Sequence, residues 1–164
     1  MTAPALVCRP VDFRQPADAA AFVALLDHYA SDAMGGGAGL SDFAKANLVP
    51  RLAVRDDFFA FIVWAGDGPV GLINLIEGFS TFAARPLLNV HDVVVHADWR
   101  GRGVVDALFA AAEALAAQRD CCKLTLEVLE GNPRAAAAYA RCGFKPYELD
   151  PQFGRAVFME KKLA

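Results

Sequence analysis

Apolar residues recur along this chain at two spacings, which separate candidate strands from candidate helices. Residues 58–65 (FFAFIVWA) and 69–79 (PVGLINLIEGF) are apolar runs joined by a Gly-Asp-Gly turn, which predicts a β-hairpin. Residues 122–130 (CKLTLEVLE) are apolar or β-branched on both faces, as expected of a strand that helices cover on both sides. Further strands are predicted over residues 5–11, 86–96 and 154–163.

Helical spacing of apolar residues marks three segments between these strands. Residues 17–34 and about 104–118 each carry an apolar stripe at helical period. Residues 40–54 predict a further helix, with Ser41 as its N-cap and Pro50 ending or kinking it.

Residues 131–144 (GNPRAAAAYARCGF) predict a last helix. Asn132 is a favourable N-cap, and Pro133 suits the first helical position, where its missing N–H is not needed. Gly143 suits the left-handed residue beyond the helix end. The element order β-α-α-β-β-β-α-β-α-β therefore predicts an α+β fold in which helices pack on a mixed sheet.

Composition narrows the class of protein. With 164 residues, 55% of them hydrophobic and 21% charged, the chain predicts a single domain over 1–164 with its own core. The net charge of −3 argues against sequence-independent nucleic-acid binding. No apolar run reaches the ~18 residues of a membrane span, and no leader pattern begins the chain, so we expect a cytoplasmic protein. The four cysteines lack metal-ligand spacing, so we expect buried free thiols and no metal site.

The sequence Arg-Gly-Arg-Gly at 100–103 lies between a predicted strand and a predicted helix and suggests a phosphate site. A Walker loop requires Gly-Lys-Ser/Thr, but Val104 and Val105 follow Gly103. A dinucleotide fingerprint requires a third glycine where Asp106 stands. The remaining interpretation is a glycine loop whose free N–H groups and helix dipole attract an anion.

In that interpretation each residue of the loop has a role. Gly101 and Gly103 let the backbone approach an anion closely. Arg100 and Arg102 add positive charge and bidentate donors. An ordinary glycine turn with solvated arginines is the alternative that the loop alone leaves open.

Two motifs together resemble the GNAT superfamily of acetyl-CoA-dependent N-acetyltransferases. The first has the form Q/R-x-x-G-x-G/A, which Arg100 and Gly103 match, whereas Val105 stands where glycine or alanine is usual. The second has the form N-x-x-A-x-x-x-Y-x-x-x-G-F and is matched by Asn132, Ala135, Tyr139, Gly143 and Phe144. The resemblance implies a GNAT-like sheet of six or seven strands flanked by about four helices.

The resemblance also implies where acetyl-CoA binds and how it reacts. Loop N–H groups hold the phosphates, and the main chain of Val93 to Val95 pairs with pantetheine. A backbone N–H near Val93 or Val94 is expected to donate to the developing oxyanion. Tyr139 is expected to donate to the leaving thiolate, although a buried packing tyrosine is the alternative. The cofactor-binding set is Val93, Val94, Val95, Arg100, Gly101, Arg102, Gly103, Val104, Val105, Asn132 and Tyr139.

Direct attack requires that the acceptor ammonium lose a proton. Residues 79–95 resemble the diamine (spermidine/spermine) acetyltransferase branch, in which an acidic pair occupies 91–92; here His91 replaces the first acid. His91 and Asp92 are polar residues in an apolar strand and are predicted to face opposite ways, so at most one faces the acceptor. Glu77 or an ordered water are further candidates for the base.

The acceptor is expected to be a primary amine of a small molecule, such as a polyamine or an amino acid, or of a protein. The acidic residues Asp27, Asp32, Glu77 and Asp92 favour a cationic acceptor such as a polyamine. The glycine-rich stretch 35–39 is either a lid on that site or a plain linker. By analogy with related enzymes, residues 156–163 (AVFMEKKL) are expected to pair across a homodimer. A non-catalytic acyl-CoA-binding module and an NAD-dependent oxidoreductase are the two other classes considered.

Overall fold

The computed structural model describes residues 4–147, 150, 152, 154 and 156–163. This part of the chain holds five strands and four α-helices. They are β1 (Leu6–Pro10), α1 (Pro16–Ser31), α2 (Asp42–Leu52), β2 (Phe58–Ala65), β3 (Gly68–Ser80), β4 (Arg85–Val95), α3 (Val104–Gln118), β5 (Leu124–Leu126) and α4 (Pro133–Arg141). Short 3₁₀ turns at Ala33–Gly35 and Ala97–Trp99 follow α1 and β4.

The strands form one mixed sheet in the order β1-β2-β3-β4-β5. Neighbours from β1 to β4 are antiparallel, and β5 runs parallel to β4. The predicted α+β class with four helices is confirmed. The predicted number of strands, six or seven, is wrong for the described part of the chain, which has five.

The strand predicted over 154–163 accounts for much of that difference. Residues 154 and 156–163 form no strand, and residue 155 lies outside the described residues. Val157, Phe158 and Met159 are about four-fifths exposed, at 77%, 82% and 84%. Alternating apolar residues predicted a strand, but a strand also needs a neighbour to pair with its N–H and C=O groups. None of the described strands pairs with this segment.

The two faces of the sheet bury separate cores. On one face, Leu108 and Phe109 of α3 pack with Ile73, Leu75 and other sheet residues, and Tyr139 of α4 joins them. On the other face, α1 packs with β2, β3 and β4 through residues that include Phe22, Leu25, Ile62, Leu72 and Val94. Two helices therefore lie against each face, and β4 contributes to both cores.

An ion pair between the buried Asp18 and the half-exposed Arg9 anchors α1 to the edge of the sheet. Asp18, 2% exposed, accepts from both Nη atoms of Arg9 at 2.8 and 2.7 Å and from the backbone N–H of Asp12 at 3.1 Å. These bonds lower the pKa of Asp18, with the Arg9 side chain as the largest cause. The carboxylate thereby stabilises the docking of α1, which forms one wall of the candidate site.

The predicted helix caps are present. Ser41 Oγ accepts from the Ala44 N–H at 3.1 Å, and Asn132 Oδ1 accepts from the Ala135 N–H at 3.1 Å. Gly143 has φ +87°, the left-handed conformation expected beyond α4. Pro50 lies inside α2, which continues for two more residues to Leu52, so the proline does not itself end the helix.

Two further predictions concern the cysteines and the membrane. The four cysteines are free thiols, and all are half-buried rather than buried. Burial raises the pKa of Cys8 to about 11, so its thiol stays protonated at neutral pH. None of the helices in the described ranges has the length and apolarity needed to cross a bilayer.

Candidate active site

The site begins where β4 and β5 separate. Their parallel pairing runs from Leu88↔Leu124 to Val90↔Leu126 and stops there, although β4 continues to Val95. The strand predicted over 122–130 is therefore shorter than expected, because residues after Leu126 diverge from β4. Backbone N–H and C=O groups of β4 beyond Val90 on this side are left without a strand partner and are available to a ligand.

The glycine loop closes one end of this opening. Gly101 and Gly103 have φ +73° and +82°, in the left-handed region that glycine adopts without strain. The first hydrogen bond of α3 runs from the Ala107 N–H to the Gly103 carbonyl at 3.1 Å. The N–H groups of Val104 to Asp106 therefore have no acceptor within the helix, as at any helix start. They form, with the helix dipole, a site of positive potential.

A cavity of about 340 Å³ connects the loop, β4, α1 and α4. The predicted residues that line it are Val93, Val94, Val95, Arg100, Gly101, Gly103, Val104, Val105, Asn132 and Tyr139. Arg102 is absent from that lining; its guanidinium lies 5.3 Å from the centre of the Trp99 ring on the surface. The cofactor-binding residues named from sequence are thus brought together around one cavity, apart from Arg102.

Part of the positive charge of the cavity comes from two arginines that were not among the predicted site residues. Arg134 and Arg141 of α4 line the cavity together with Arg100. Arg100 Nη2 bonds to Asp32 Oδ2 at 3.1 Å, which ties the end of α1 to the glycine loop. Both arginines of α4 lie in the Asn132 motif itself, and this is the signal that points to them.

Tyr139 sits between the cavity and the core. Its ring makes edge contacts with Phe109 and Phe144 at centroid distances of 5.7 and 6.3 Å. Burial raises the pKa of Tyr139 to about 12, with smaller contributions from Tyr29 and Cys142. The hydroxyl therefore stays protonated at neutral pH and is a hydrogen-bond donor on the cavity wall.

α1 supplies a wall that sequence reasoning missed. His28 and Tyr29 line the cavity, and the His28 ring stacks on His96 at 4.7 Å. Within the described residues His28 Nε2 is buried and lacks a hydrogen-bond partner. Burial raises the pKa of Tyr29, and the nearby carboxylates of Asp92 and Asp32 raise it further. Adjacent polar aromatics in an otherwise apolar helix stripe are the signal for this wall.

The three candidate bases lie in different environments, and none of them lines the cavity. The register of β3 and β4 shifts between Asn74 and Leu75, so that Asn74 faces Asp92 and Leu75 faces Val90. His91 is the extra residue of this bulge and is exposed.

The prediction that His91 and Asp92 face opposite ways assumed that side chains alternate regularly along the strand. The bulge interrupts that alternation. Asp92 Oδ2 accepts from Asn74 Nδ2 at 2.9 Å. Glu77 is instead paired with Arg119 at the far end of α3. Among the three candidates, Asp92 is the one whose carboxylate raises the pKa of Tyr29 on the α1 wall of the cavity.

Gly35 of the glycine-rich stretch and the acidic residues Asp27 and Asp32 already have structural roles. A Cβ at Gly35 would lie 2.0 Å from the Tyr29 carbonyl oxygen, so this close turn admits only glycine. Asp27 pairs with Lys45 at 2.9 Å and accepts from the Leu40 N–H at 2.8 Å. Asp27, like Asp32, is therefore already neutralised by a cation of the protein.

Comparison with known proteins agrees with this arrangement. The model of the acetyltransferase (GNAT) family matches residues 23–144. No curated protein sequence matches the chain.

Solved structures share its fold at low sequence identity. An aminoglycoside acetyltransferase from an uncultured soil metagenomic sample, meta-AAC0020, solved with trehalose, superposes with a TM-score of 0.79 at 15% identity, covering 97% of both chains. Aminoglycoside N-acetyltransferase AAC(6')-Iy in complex with CoA has a TM-score of 0.78 at 16% identity over 99% of this chain and 98% of that one. Ribosomal-protein-alanine N-acetyltransferase from Brucella melitensis biovar Abortus 2308 has a TM-score of 0.67 at 19% identity, over 89% and 99%.

Proposed function

Because this chain belongs to the acetyltransferase (GNAT) family, we propose that it transfers the acetyl group of acetyl-CoA to a primary amine by direct attack. One observation carries the proposal. The edge of β4 beyond its pairing with β5, the start of α3 and Tyr139 of α4 all border a single cavity. These are the groups that hold a thioester cofactor and assist its leaving group.

The residues present fit acetyl-CoA. Its phosphates are anions, and the cavity offers them the free N–H groups of the loop together with Arg100, Arg134 and Arg141. Its pantetheine arm carries amides, which match the open backbone edge of Val93 to Val95. Val105 leaves this fit intact, because its backbone N–H remains available at the start of α3.

Separate groups of the chain would assist separate parts of the reaction. Acetyl-CoA supplies an activated acetyl thioester when bound. We assign to a backbone N–H near Val93 or Val94 the role of donating to the oxygen of the carbonyl under attack. When acetyl-CoA is bound, the Tyr139 hydroxyl would donate a hydrogen bond to its leaving sulfur. Because burial raises the pKa of Tyr139 to about 12, the hydroxyl would act there as a hydrogen-bond donor and would be a poor source of a free proton.

The acceptor proposed for this site is a small cationic amine. Asp27 and Asp32 pair with Lys45 and Arg100, whereas the bond recorded for the Asp92 carboxylate is from a neutral amide. Within the described residues no ion pair involves Asp92, and we assign to its carboxylate the binding of the acceptor's ammonium group and the acceptance of its proton. The sequence resemblance favours a polyamine, and neighbours of the same fold are named as acting on aminoglycosides.

Turnover on an amine panel tests the proposal. Purified protein is mixed with acetyl-CoA and spermidine, the aminoglycoside sisomicin, or a peptide with a free N-terminal alanine. We expect amine-dependent release of CoA thiol with at least one of them, and fastest release with a small polycation. Thermal stabilisation by CoA without thiol release on any amine would instead identify a non-catalytic acyl-CoA-binding module. Stabilisation by NAD and not by CoA would refute the cofactor assignment.

A further inference from the structure

A buried amide lies beside the proposed acceptor carboxylate, and neither motif of the sequence includes it. Asn74 stands in the middle of β3 and is only 2% exposed. Its neighbours along the strand, Ile73 and Leu75, are fully buried apolar residues. Among the described residues, the only other buried polar side chain is Asp18, which its ion pair with Arg9 explains. Burying an amide in such a strand costs free energy unless its groups are bonded.

The side-chain amide of Asn74 donates a hydrogen bond to Asp92. Asn74 and Asp92 are register partners across β3 and β4, at the last pair before the bulge. The 2.9 Å bond from Nδ2 to Asp92 Oδ2 joins an amide donor to an acidic side chain; if the carboxyl is ionised, the bond is charge-assisted and stronger than a neutral one. A β-bulge re-aims the side chains next to it, so a residue that fixes the carboxylate at this point sets its direction.

The oxygen of the Asn74 side-chain amide, Oδ1, is buried, and no group of the described residues donates a hydrogen bond to it. Turning the amide over would bring its oxygen against the Asp92 carboxylate, so the donor has to face Asp92. An amide kept in an apolar strand with one atom unsatisfied carries a cost of folding, which a role in the site explains better than packing does.

We propose that Asn74 is a positioning residue for acetyl transfer: its amide holds the Asp92 carboxylate in the orientation that binds the acceptor's ammonium group and takes its proton. This inference rests on the proposed function. It assigns Asn74 no contact with acetyl-CoA, since Asn74 is absent from the lining of the cavity. The effect of losing the amide should therefore fall on the amine and not on the thioester.

Kinetics of Asn74→Leu, which keeps the size of the side chain and removes its donor, test the proposal. The acceptor is whichever of spermidine, sisomicin and the alanine peptide wild-type protein acetylates fastest. We expect kcat/KM for that amine to fall about tenfold or more, as loss of a hydrogen bond to a charged group predicts, while KM for acetyl-CoA stays within about twofold.

A double-mutant cycle separates positioning from a merely structural role. If Asn74 acts through Asp92, adding Asn74→Leu to Asp92→Asn should cost little more than Asp92→Asn alone. Additive losses, or equal losses for amine and acetyl-CoA, would overturn the inference. Asn89→Leu is the matched control, because Asn89 also bonds side chains within the sheet, Thr125 at 3.2 Å among them, away from Asp92.

Two further outcomes keep the result clear. Asn74→Ala, which also removes the donor, serves if the leucine variant does not fold, and should show the same selective loss for the amine. Wild-type protein that acetylates none of the three amines would refute the proposed function and this inference together. An active wild type with unchanged amine kinetics in both Asn74 variants would refute the inference alone.

Discussion

Gly71 of β3 touches Val104, the first residue of α3, so closely that a Cβ at Gly71 would lie 2.3 Å from Val104 Cγ1. The same Cβ would lie 3.2 Å from the backbone oxygen of Val94. Val104 is 1% exposed and cannot move aside freely. This contact therefore fixes the start of α3, and with it the glycine loop, against the strand proposed to hold pantetheine.

Gly71→Ala should weaken both the fold and cofactor binding. Forcing a methyl group into this contact should lower the free energy of unfolding by about 1–3 kcal/mol, as overpacking of a core does. KM for acetyl-CoA should rise, because α3 must move at the end that faces the phosphates. Gly78→Ala in the same strand is the control: its Cβ would meet Leu87 at an ordinary 3.4 Å. Equal stability of the two variants in urea unfolding would contradict the assignment.

Gly103→Val tests the loop directly. Gly103 has φ +82° and open space around its Cβ position, so the substitution strains the backbone without a clash. We expect KM for acetyl-CoA to rise about tenfold, in line with a strain of about 1–2 kcal/mol in this region of φ. Gly66→Val, at φ +61° in the β2–β3 turn, carries comparable strain away from the cavity. A KM that rises equally in both variants would show that the loop has no special role.

Tyr139→Phe should slow turnover and preserve the fold. The ring contacts with Phe109 and Phe144 remain, and only the hydroxyl is lost. A fall in kcat of about tenfold or more is expected for a group that assists the leaving thiolate. Tyr147→Phe is the control, since that side chain is 66% exposed. Full activity of Tyr139→Phe would remove this tyrosine from the mechanism.

His91→Ala and Asp92→Asn should separate in their pH–rate profiles. Asp92 is the residue that bonds Asn74 and acts on Tyr29, whereas His91 is exposed at the bulge. We expect Asp92→Asn to lose the acid limb of kcat/KM for the amine, and His91→Ala to keep it. The reverse result would make His91 the base.

Asp18→Asn should destabilise the protein in a pH-dependent way. Arg9 lowers the pKa of Asp18, so its stabilising effect is present above the unfolded carboxyl pKa of about 3.9 and is lost as pH falls through the lower folded value. At pH 7 the variant should lose about 1–3 kcal/mol, and its difference from wild type should shrink below about pH 4. Asp67→Asn in the exposed β2–β3 turn should stay within about 0.5 kcal/mol of wild type. A difference that grows on acidification would contradict this account.

Local signals in the sequence predicted much of the fold. Ser41, Asn132 and Gly143 act through neighbouring backbone groups, so their helix boundaries could be read without a structure. The loop and the Tyr139 motif likewise lie on two helices that face one cavity.

Features that depend on pairing between distant segments could not be predicted. The bulge at His91 depends on the register of β3 against β4, and one extra residue changes which side chains share a face. Apolar residues predicted a strand over 122–130. Pairing with β4 stops at Leu126, however, so β5 is shorter than predicted. Asn74, a single amide in an apolar run, was a signal of the same kind as Asp92, and only their contact shows that the two belong together.

The central claim is that this chain binds acetyl-CoA in the cavity between β4, α3 and α4 and uses it to acetylate an amine. Its most direct test measures released CoA thiol and acetylated amine in the same reaction, with wild-type protein and the Gly103→Val variant. The account predicts equal amounts of the two products for at least one primary amine, and slower formation of both by Gly103→Val at limiting acetyl-CoA. Thiol release that does not depend on the amine, or no acetylated product from any amine despite CoA binding, would contradict it.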